Sequence, residues 1–255
     1  MLDPEFDQLV AEALEHQFSG WDFSWLKERW ISGETPWDYR AEVLTRLPGT
    51  QRLLDMGTGG GEFLSSLPGL PASVIATEGY LPNVRVAARR LHPLGISVTA
   101  IEGEEDRQPF ANGSFDLVIN RHESFQGGEL RRILMPSGTF LSQQVGGRDN
   151  IDLNCSLAPE TVPQYSDQTL QYHMDALQAA GLELVDAREA YIPELFKDIG
   201  AVVFYLKIIT WQIPGFEVEQ NIDRLYALHC QMKADGGLQT FSHRLLLIAR
   251  KPLGV

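Results

Sequence analysis

The stretch Leu53-Leu54-Asp55-Met56-Gly57-Thr58-Gly59-Gly60-Gly61-Glu62 runs from a short apolar strand, closed by Asp55, into a turn of alternate glycines. Gly57, Gly59 and Gly61 permit backbone conformations closed to other residues, and they let a ligand approach the main chain without meeting a Cβ. A dinucleotide is one guest for such a turn. Its GxGxxG fingerprint needs a small third residue, however, and counting from Gly57 that position is Glu62. A carboxylate at the start of the following helix repels a docking pyrophosphate. A phosphate-free cationic ligand fits the turn better.

Glu78 closes the next apolar run, Val74-Ile75-Ala76-Thr77, and Gly79 and Tyr80 follow it. A carboxylate about 20 residues beyond the first glycine can accept both hydroxyls of a ribose. After a third run, Ile96 to Ile101, the segment with Gly103, Glu104 and Glu105 offers a backbone amide for a ring nitrogen and a carboxylate for the exocyclic amine of adenine. Glu104 is the preferred acid and Glu105 its alternative. A fourth run, Phe115 to Ile119, delivers Asn120, Arg121 and His122. Histidine titrates near neutral pH, so His122 is the candidate base for an oxygen or nitrogen nucleophile. A loop histidine held by Glu123 or a backbone carbonyl fits the same residues. Arg121 is suited to an anionic substrate group.

Taken together these residues resemble the class I S-adenosylmethionine-dependent methyltransferases, most closely the broad type 11 small-molecule group. Asp55, Gly57, Gly59 and Gly61 match that family's DxGxGxG turn, with Thr58 inside it; Glu78 matches its acid after the second strand, and Glu104 its adenine-side acid. Gln108-Pro109-Phe110 is similar to its LPF-like segment, Phe115-Asp116-Leu117-Val118 to its fourth strand, and Leu134-Met135-Pro136-Ser137-Gly138 to the turn before its fifth. The likeness covers Leu53 to Val145 and the closing strand His243 to Lys251. Ser137 stands where the family has glycine, and Glu104 is longer than its usual aspartate. The resemblance implies S-adenosylmethionine as cofactor, S-adenosylhomocysteine as product, a small-molecule acceptor, and Asn120 at the methionine part of the cofactor. Methyl transfer from a sulfonium is an in-line displacement on an activated donor. Alignment, exclusion of water and the acids Asp55, Glu78 and Glu104 would therefore supply most of the acceleration.

The elements that must hold these groups alternate. Strands at Leu53-Leu54, Val74 to Ala76, Ile96 to Ile101, Phe115 to Ile119 and Thr139 to Leu141 are separated by segments such as the helix from Pro82, whose Val84, Ala87, Ala88 and Leu91 share one face. Such alternation predicts an α/β fold with helices on both faces of a largely parallel sheet, its ligand beyond the carboxyl ends of the strands. A helix near Asp167 to Ala180, a strand Leu182 to Val185 and a last strand Arg244 to Ala249 allow antiparallel pairing at one edge. The resemblance makes this a Rossmann-like, seven-stranded mixed sheet with a C-terminal antiparallel hairpin.

Two regions lie outside that pattern. Residues 1–50 read as an N-terminal helical cap, starting at Asp3-Pro4 and including an aromatic segment from Trp21 to Trp30; residues 51–255 read as the methyltransferase domain. A polar loop is expected from Val145 to about Ser166, and a helical insertion at about 193–238. The stretch Tyr191 to Trp211 contains a helix apolar nearly all round, which must be buried or wall a cavity. Trp25, Trp30, Phe204 and Trp211 are the candidate lining for a small apolar or aromatic acceptor.

Composition bounds the partners. The 255 residues carry 21 basic and 34 acidic side chains, a formal charge of −13, which argues against phosphate-backbone binding. Cys155 and Cys230 are in no metal-ligand or disulfide spacing, so no metal site is expected. No basic and apolar leader and no stretch of about 20 apolar residues is seen, so a cytoplasmic protein without membrane partners is expected. RNA methylation through a local groove with Arg121, Arg148 and Lys207, or a catalytically inactive S-adenosylmethionine-binding protein, remain alternatives. A NAD-dependent enzyme is disfavoured by Glu62.

Overall fold

The computed structural model describes residues 3–18, 23–101 and 107–253. In chain order its elements are α1 (Pro4–Glu15), β1 (Trp30–Ser32), α2 (Tyr39–Leu44), β2 (Arg52–Met56), α3 (Glu62–Ser65), β3 (Ser73–Glu78), α4 (Leu81–Leu91), β4 (Ser97–Ala100), β5 (Phe115–Arg121), α5 (Gly127–Ile133), β6 (Leu134–Val145), α6 (Ile151–Leu157), α7 (Leu170–Ala179), β7 (Glu183–Phe196), α8 (Ile199–Ile208), α9 (Ile222–Asp235) and β8 (Leu238–Arg250). The sheet order is β1-β7-β8-β6-β5-β2-β3-β4. β2 pairs parallel with β3 and β5, β3 with β4, and β5 with β6. This is the α/β fold expected, with eight strands instead of seven. The added strand is β1: Trp30, expected in a helical segment, is extended and pairs antiparallel opposite Phe196.

Chain contacts divide the protein into two units, and β7 and β8 contribute residues to each. One unit comprises residues 36–144, 169–189 and 245–255. β2 lies between β3 and β5, so Leu53, Leu54, Asp55 and Met56 are all buried and the strand reads as a continuous run. Leu54, Val118, Phe140 and Leu247 share one core with Leu130 and Ile133 of α5 and Leu177 of α7. Gly127 lets α5 pack on α7, because a Cβ there would sit 2.6 Å from the Ala176 carbonyl oxygen. The segment after residue 107 is tied down by Arg132, which donates to the carbonyl oxygens of Phe110 at 2.6 Å and Gln108 at 2.9 Å and pairs with Glu129. Glu129 in turn accepts from the Gln108 amide at 2.7 Å. Arg132→Met removes these three contacts and is expected to lower the unfolding free energy by about 2 kcal/mol, read from urea titrations.

The other unit comprises residues 1–35, 145–168 and 190–244. Asp3 caps α1 by accepting from the Glu5 amide, as the Asp3-Pro4 pair predicted. Lys207 closes the other end of α1, donating to the carbonyls of Leu14 and His16 at 2.6 and 2.8 Å. Phe6, Val10 and Ala13 enter the same core as Val202, Val203, Phe204 and Leu206, and α8 is buried on every side from Ile199 to Leu206. Two expectations fail here. The polar loop after Val145 contains α6, held by Asn154 Nδ2 donating to the Gln212 carbonyl at 2.6 Å. Residues 190–196, read as the start of the helical stretch, continue β7 instead: Ile192, Glu194 and Phe196 are buried while Tyr191 and Pro193 are exposed, the period of two that defines a strand. The helices of the insertion are α8 and α9, with β8 beginning soon after, at Leu238.

Candidate functional site

Gly57, Gly59 and Gly61 have φ of +67°, +61° and +80°, the left-handed region that glycine enters without cost. A Cβ at Gly57 would lie 2.5 Å from Glu123 Cβ, and one at Gly61 2.9 Å from Leu91 Cγ, whereas Gly59 faces open space. The turn is tied to the end of β3, since the Thr58 amide donates to the Thr77 carbonyl at 2.8 Å. Glu78 is 5% exposed, and its two carboxylate oxygens accept from the amides of Gly59 at 2.7 Å and Tyr80 at 2.8 Å. The acid after the second sheet strand of the resemblance is thus wired directly into the glycine turn. Glu62, by contrast, is exposed and paired with Arg90.

Burial raises the carboxyl of Glu78, opposed by its backbone amides; burial and then the Glu78 charge raise Glu123. Asp55 is pushed up to about 7, chiefly by burial. A carboxyl raised on folding binds its proton more tightly in the folded chain than in the unfolded one. Between about pH 4 and about pH 7 the folded state therefore holds the extra proton, and stability falls as pH rises through that window. The slope from Asp55 is at most about 1.4 kcal/mol per pH unit. Urea unfolding at pH 5, 6 and 7 is expected to show this decline, and Asp55→Asn to flatten it.

A cleft of about 220 Å³ opens beside the turn. Of the residues singled out from sequence, Gly57 and Gly79 line it, with Met56, Thr77 and Ile101 between the strand ends. Gln108, Glu123, Phe125 and Glu129 are also part of its wall. Tyr80 is 58% exposed at the end of β3. Gly103, Glu104 and Glu105 lie outside the described residues.

At the end of β5, Asn120 is fully buried. Its Oδ1 accepts from Gln144 Nε2 at 2.8 Å and Ser142 Oγ at 3.2 Å, and its carbonyl accepts from the Tyr39 hydroxyl at 3.0 Å. Its Nδ2 finds no hydrogen-bond partner among the described residues. Arg121 is exposed and lies over the Phe63 ring, 4.8 Å from its centroid. His122 is exposed with φ +67°, and its amide donates to the Gln143 carbonyl. An indole N–H only donates, so Trp37 Nε1, 2.9 Å from Gln143 Oε1, fixes that amide and turns Gln143 Nε2 toward His122 Nε2 at 3.2 Å. Neutral His122 thus accepts at Nε2. Trp37, Tyr39, Gln143 and Gln144 are site residues the sequence reading passed over, and Glu123 was named there only as a partner for His122, which faces Gln143. The one signal was Ser142-Gln143-Gln144, three polar residues in a row at the end of a buried strand.

Trp25, Trp30 and Phe204 belong to the other unit, where they pack on one another and on neighbouring rings. Trp25 meets Phe204 at 4.5 Å between centroids and carries Arg29 over its face, and Trp30 stacks on Phe196 at 5.5 Å. Phe204 is fully buried and Trp211 is 37% exposed. No described helix is long and apolar enough to cross a membrane.

A family model described as a methyltransferase domain matches residues 54–142. The demethylmenaquinone methyltransferase of Thermus thermophilus is 30% identical over 116 residues, 41% of this chain and 52% of that protein, so the chain spans about half the length of this curated relative. Among solved structures, the YcgJ protein of Bacillus subtilis is similar with a TM-score of 0.59 and 17% identity, over 85% of this chain and 99% of that one. The cyclase SpnF is similar with a TM-score of 0.52 and 16% identity, over 98% and 95%. Likeness at such identities is a likeness of fold, and a cyclase among the neighbours shows that the fold alone does not name a reaction.

Proposed function

We propose that this chain is an S-adenosylmethionine-dependent methyltransferase acting on a small molecule, a reading supported by the match of residues 54–142 to a methyltransferase-domain model. The observation that carries the reading is the joint between Glu78 and Gly59: a buried carboxylate bonded to the amide of a left-handed glycine beside an acidic cleft. That arrangement suits a ribose, and the carboxylates of Glu123 and Glu129 in the cleft wall favour positive charge over a phosphate.

In this reading Glu78 holds the ribose hydroxyls, and the Gly57–Gly61 turn lies against the methionine part. Asn120 turns its Nδ2 donor to the same end, and the 103–105 segment takes adenine. The Asn120 donor supports the fit, because Ser142 and Gln144 hold its carbonyl end and leave the amine end for a ligand. Bound there, S-adenosylmethionine supplies a methyl group already activated by its sulfonium. The chain's own part is to align that group, exclude water and keep the carboxylates of Asp55, Glu78 and Glu123 near the positive charge. His122 is our candidate for removing an acceptor proton, which requires the Gln143 amide to release Nε2.

A small acceptor is supported by the charge of −13 and by the likeness to the Thermus demethylmenaquinone methyltransferase. Arg121 is our candidate for an anionic group on it. Calorimetry with S-adenosylmethionine and S-adenosylhomocysteine tests the cofactor half, and lack of binding to both overturns it. Formation of S-adenosylhomocysteine with phenolic and quinol acceptors, above a Glu78→Ala background, tests the rest. Salt-sensitive binding of bulk RNA in its place would move the acceptor to nucleic acid.

A further inference from the structure

Far along the chain from the glycine turn, the start of α1 meets α9. Asp3, Glu5 and His229 each offer one ligand atom there, and those atoms lie within 4.8 Å of one another. His229 is 2% exposed, packed against Phe6 with ring centroids 5.5 Å apart. Its Nε2 is buried and has no hydrogen-bond partner among the described residues, and Asp3 Oδ2 is 3.7 Å away, beyond hydrogen-bond reach. A buried ring nitrogen left unbonded is costly, so its orientation asks for a reason. The Asp3 carboxylate is divided in its duties: Oδ1 caps α1 on the Glu5 amide, and Oδ2 turns toward the imidazole.

A cation already sits at this spot. Lys233, one helical turn beyond His229, places Nζ 2.5 Å from Glu5 Oε2 and 3.6 Å from Asp3 Oδ2. Lys233 is half exposed on a flexible stem and can swing away. We propose that Asp3, Glu5 and His229 form a binding site for a zinc ion, completed by water, with Lys233 as the cation that zinc displaces.

The Asp3–His229 pair is close to what zinc requires, and the wider spacing, up to 4.8 Å, is closed by movement of the exposed Glu5 side chain. Arms of about 2.0–2.1 Å in a tetrahedron put neighbouring ligand atoms about 3.3 Å apart. Asp3 Oδ2 and His229 Nε2, at 3.7 Å, need to close by only a few tenths of an ångström. The donor set selects the metal: calcium and magnesium take oxygen throughout, whereas an imidazole with two carboxylates suits zinc. The bound ion would fasten the first turn of α1 to α9 and give the buried Nε2 its partner.

Zinc chloride titrated into the metal-stripped 255-residue chain, followed by calorimetry and thermal unfolding, tests this. One zinc per chain is expected, with a rise in Tm of about 5 °C at 100-fold excess over Kd. Asp3→Asn, which keeps the helix cap, and His229→Gln should each weaken binding at least about tenfold. Lys233→Met lies on the exposed side of α9 and should tighten it about threefold by removing the competing charge. A Cys155→Ser, Cys230→Ser double variant should bind as the parent does. Absence of saturable zinc binding overturns the proposal. So does binding that the cysteine variant abolishes, or binding unchanged by both Asp3→Asn and Lys233→Met.

Discussion

Glu78→Ala is expected to weaken S-adenosylhomocysteine binding about 100-fold while the chain still folds. Two separate losses add in that figure. The carboxylate would no longer accept from the ribose hydroxyls, and hydrogen bonds to a charged acceptor are each worth about 1.5–3 kcal/mol. The Gly59 and Tyr80 amides, now held at 2.7 and 2.8 Å, would also lose their partner, so the turn would relax away from the shape that receives a ligand. A total near 3 kcal/mol is roughly two decades in Kd. Glu78→Gln separates the two losses, since its amide oxygen can keep one backbone amide but not the charge, and its affinity should fall between parent and alanine variant. Calorimetry gives the constants and circular dichroism confirms the fold. A Glu78→Ala affinity within threefold of the parent would remove Glu78 from the cofactor site. The same result for Glu62→Ala is expected, because that side chain is occupied with Arg90 at the surface.

How much of this was legible beforehand depended on whether a residue's reason was local. The glycine turn, Asp55 and Glu78 carry theirs in their own spacing, because a left-handed backbone selects glycine directly and a strand end places its next residue at the ligand. The parallel strands around β2 were legible as unbroken apolar runs. β7 beyond Val185 was hidden for a physical reason. Its inward series is Ile192, Glu194 and Phe196, and a charged residue in the middle position breaks the alternation that marks a strand. Only the partners far away in sequence explain it: Trp30 Nε1 donates to the Glu194 carboxylate at 2.8 Å and Ser32 Oγ at 3.0 Å, which offsets the burial that raises this acid. The same contacts explain why Trp30 to Ser32 became an edge strand and not helix. The Trp37–Gln143–His122 relay was hidden likewise, since 106 residues separate its first two members. It also changes what His122 can be expected to do, as its accepting nitrogen already has a donor.

Gly57→Ala and Gly59→Ala look equivalent in the sequence and should behave as opposites. Both force alanine into a left-handed backbone at a cost of about 1 kcal/mol. At Gly59 that is the whole cost to the ligand-free protein, because the new methyl meets open space. At Gly57 the methyl would lie 2.5 Å from Glu123 Cβ, an atom fixed by the main chain that no rotamer change can clear. The loop after His122 must shift, and a total loss of about 3 kcal/mol is expected, or a fall in Tm of roughly 6–12 °C. For cofactor binding the order inverts relative to stability. Gly59→Ala puts its methyl beside the amide that Glu78 holds, in the space a ligand would need, and should cost at least about tenfold in Kd in a protein that is nearly as stable as the parent. A cycle with Glu123→Gly, which removes the obstructing Cβ, should recover at least about 1 kcal/mol of the Gly57→Ala loss and none of the Gly59→Ala loss. If the two glycine variants lose equal stability and the cycle shows no coupling, Glu123 does not press on the turn, and its place in the cleft wall would have to be reassigned.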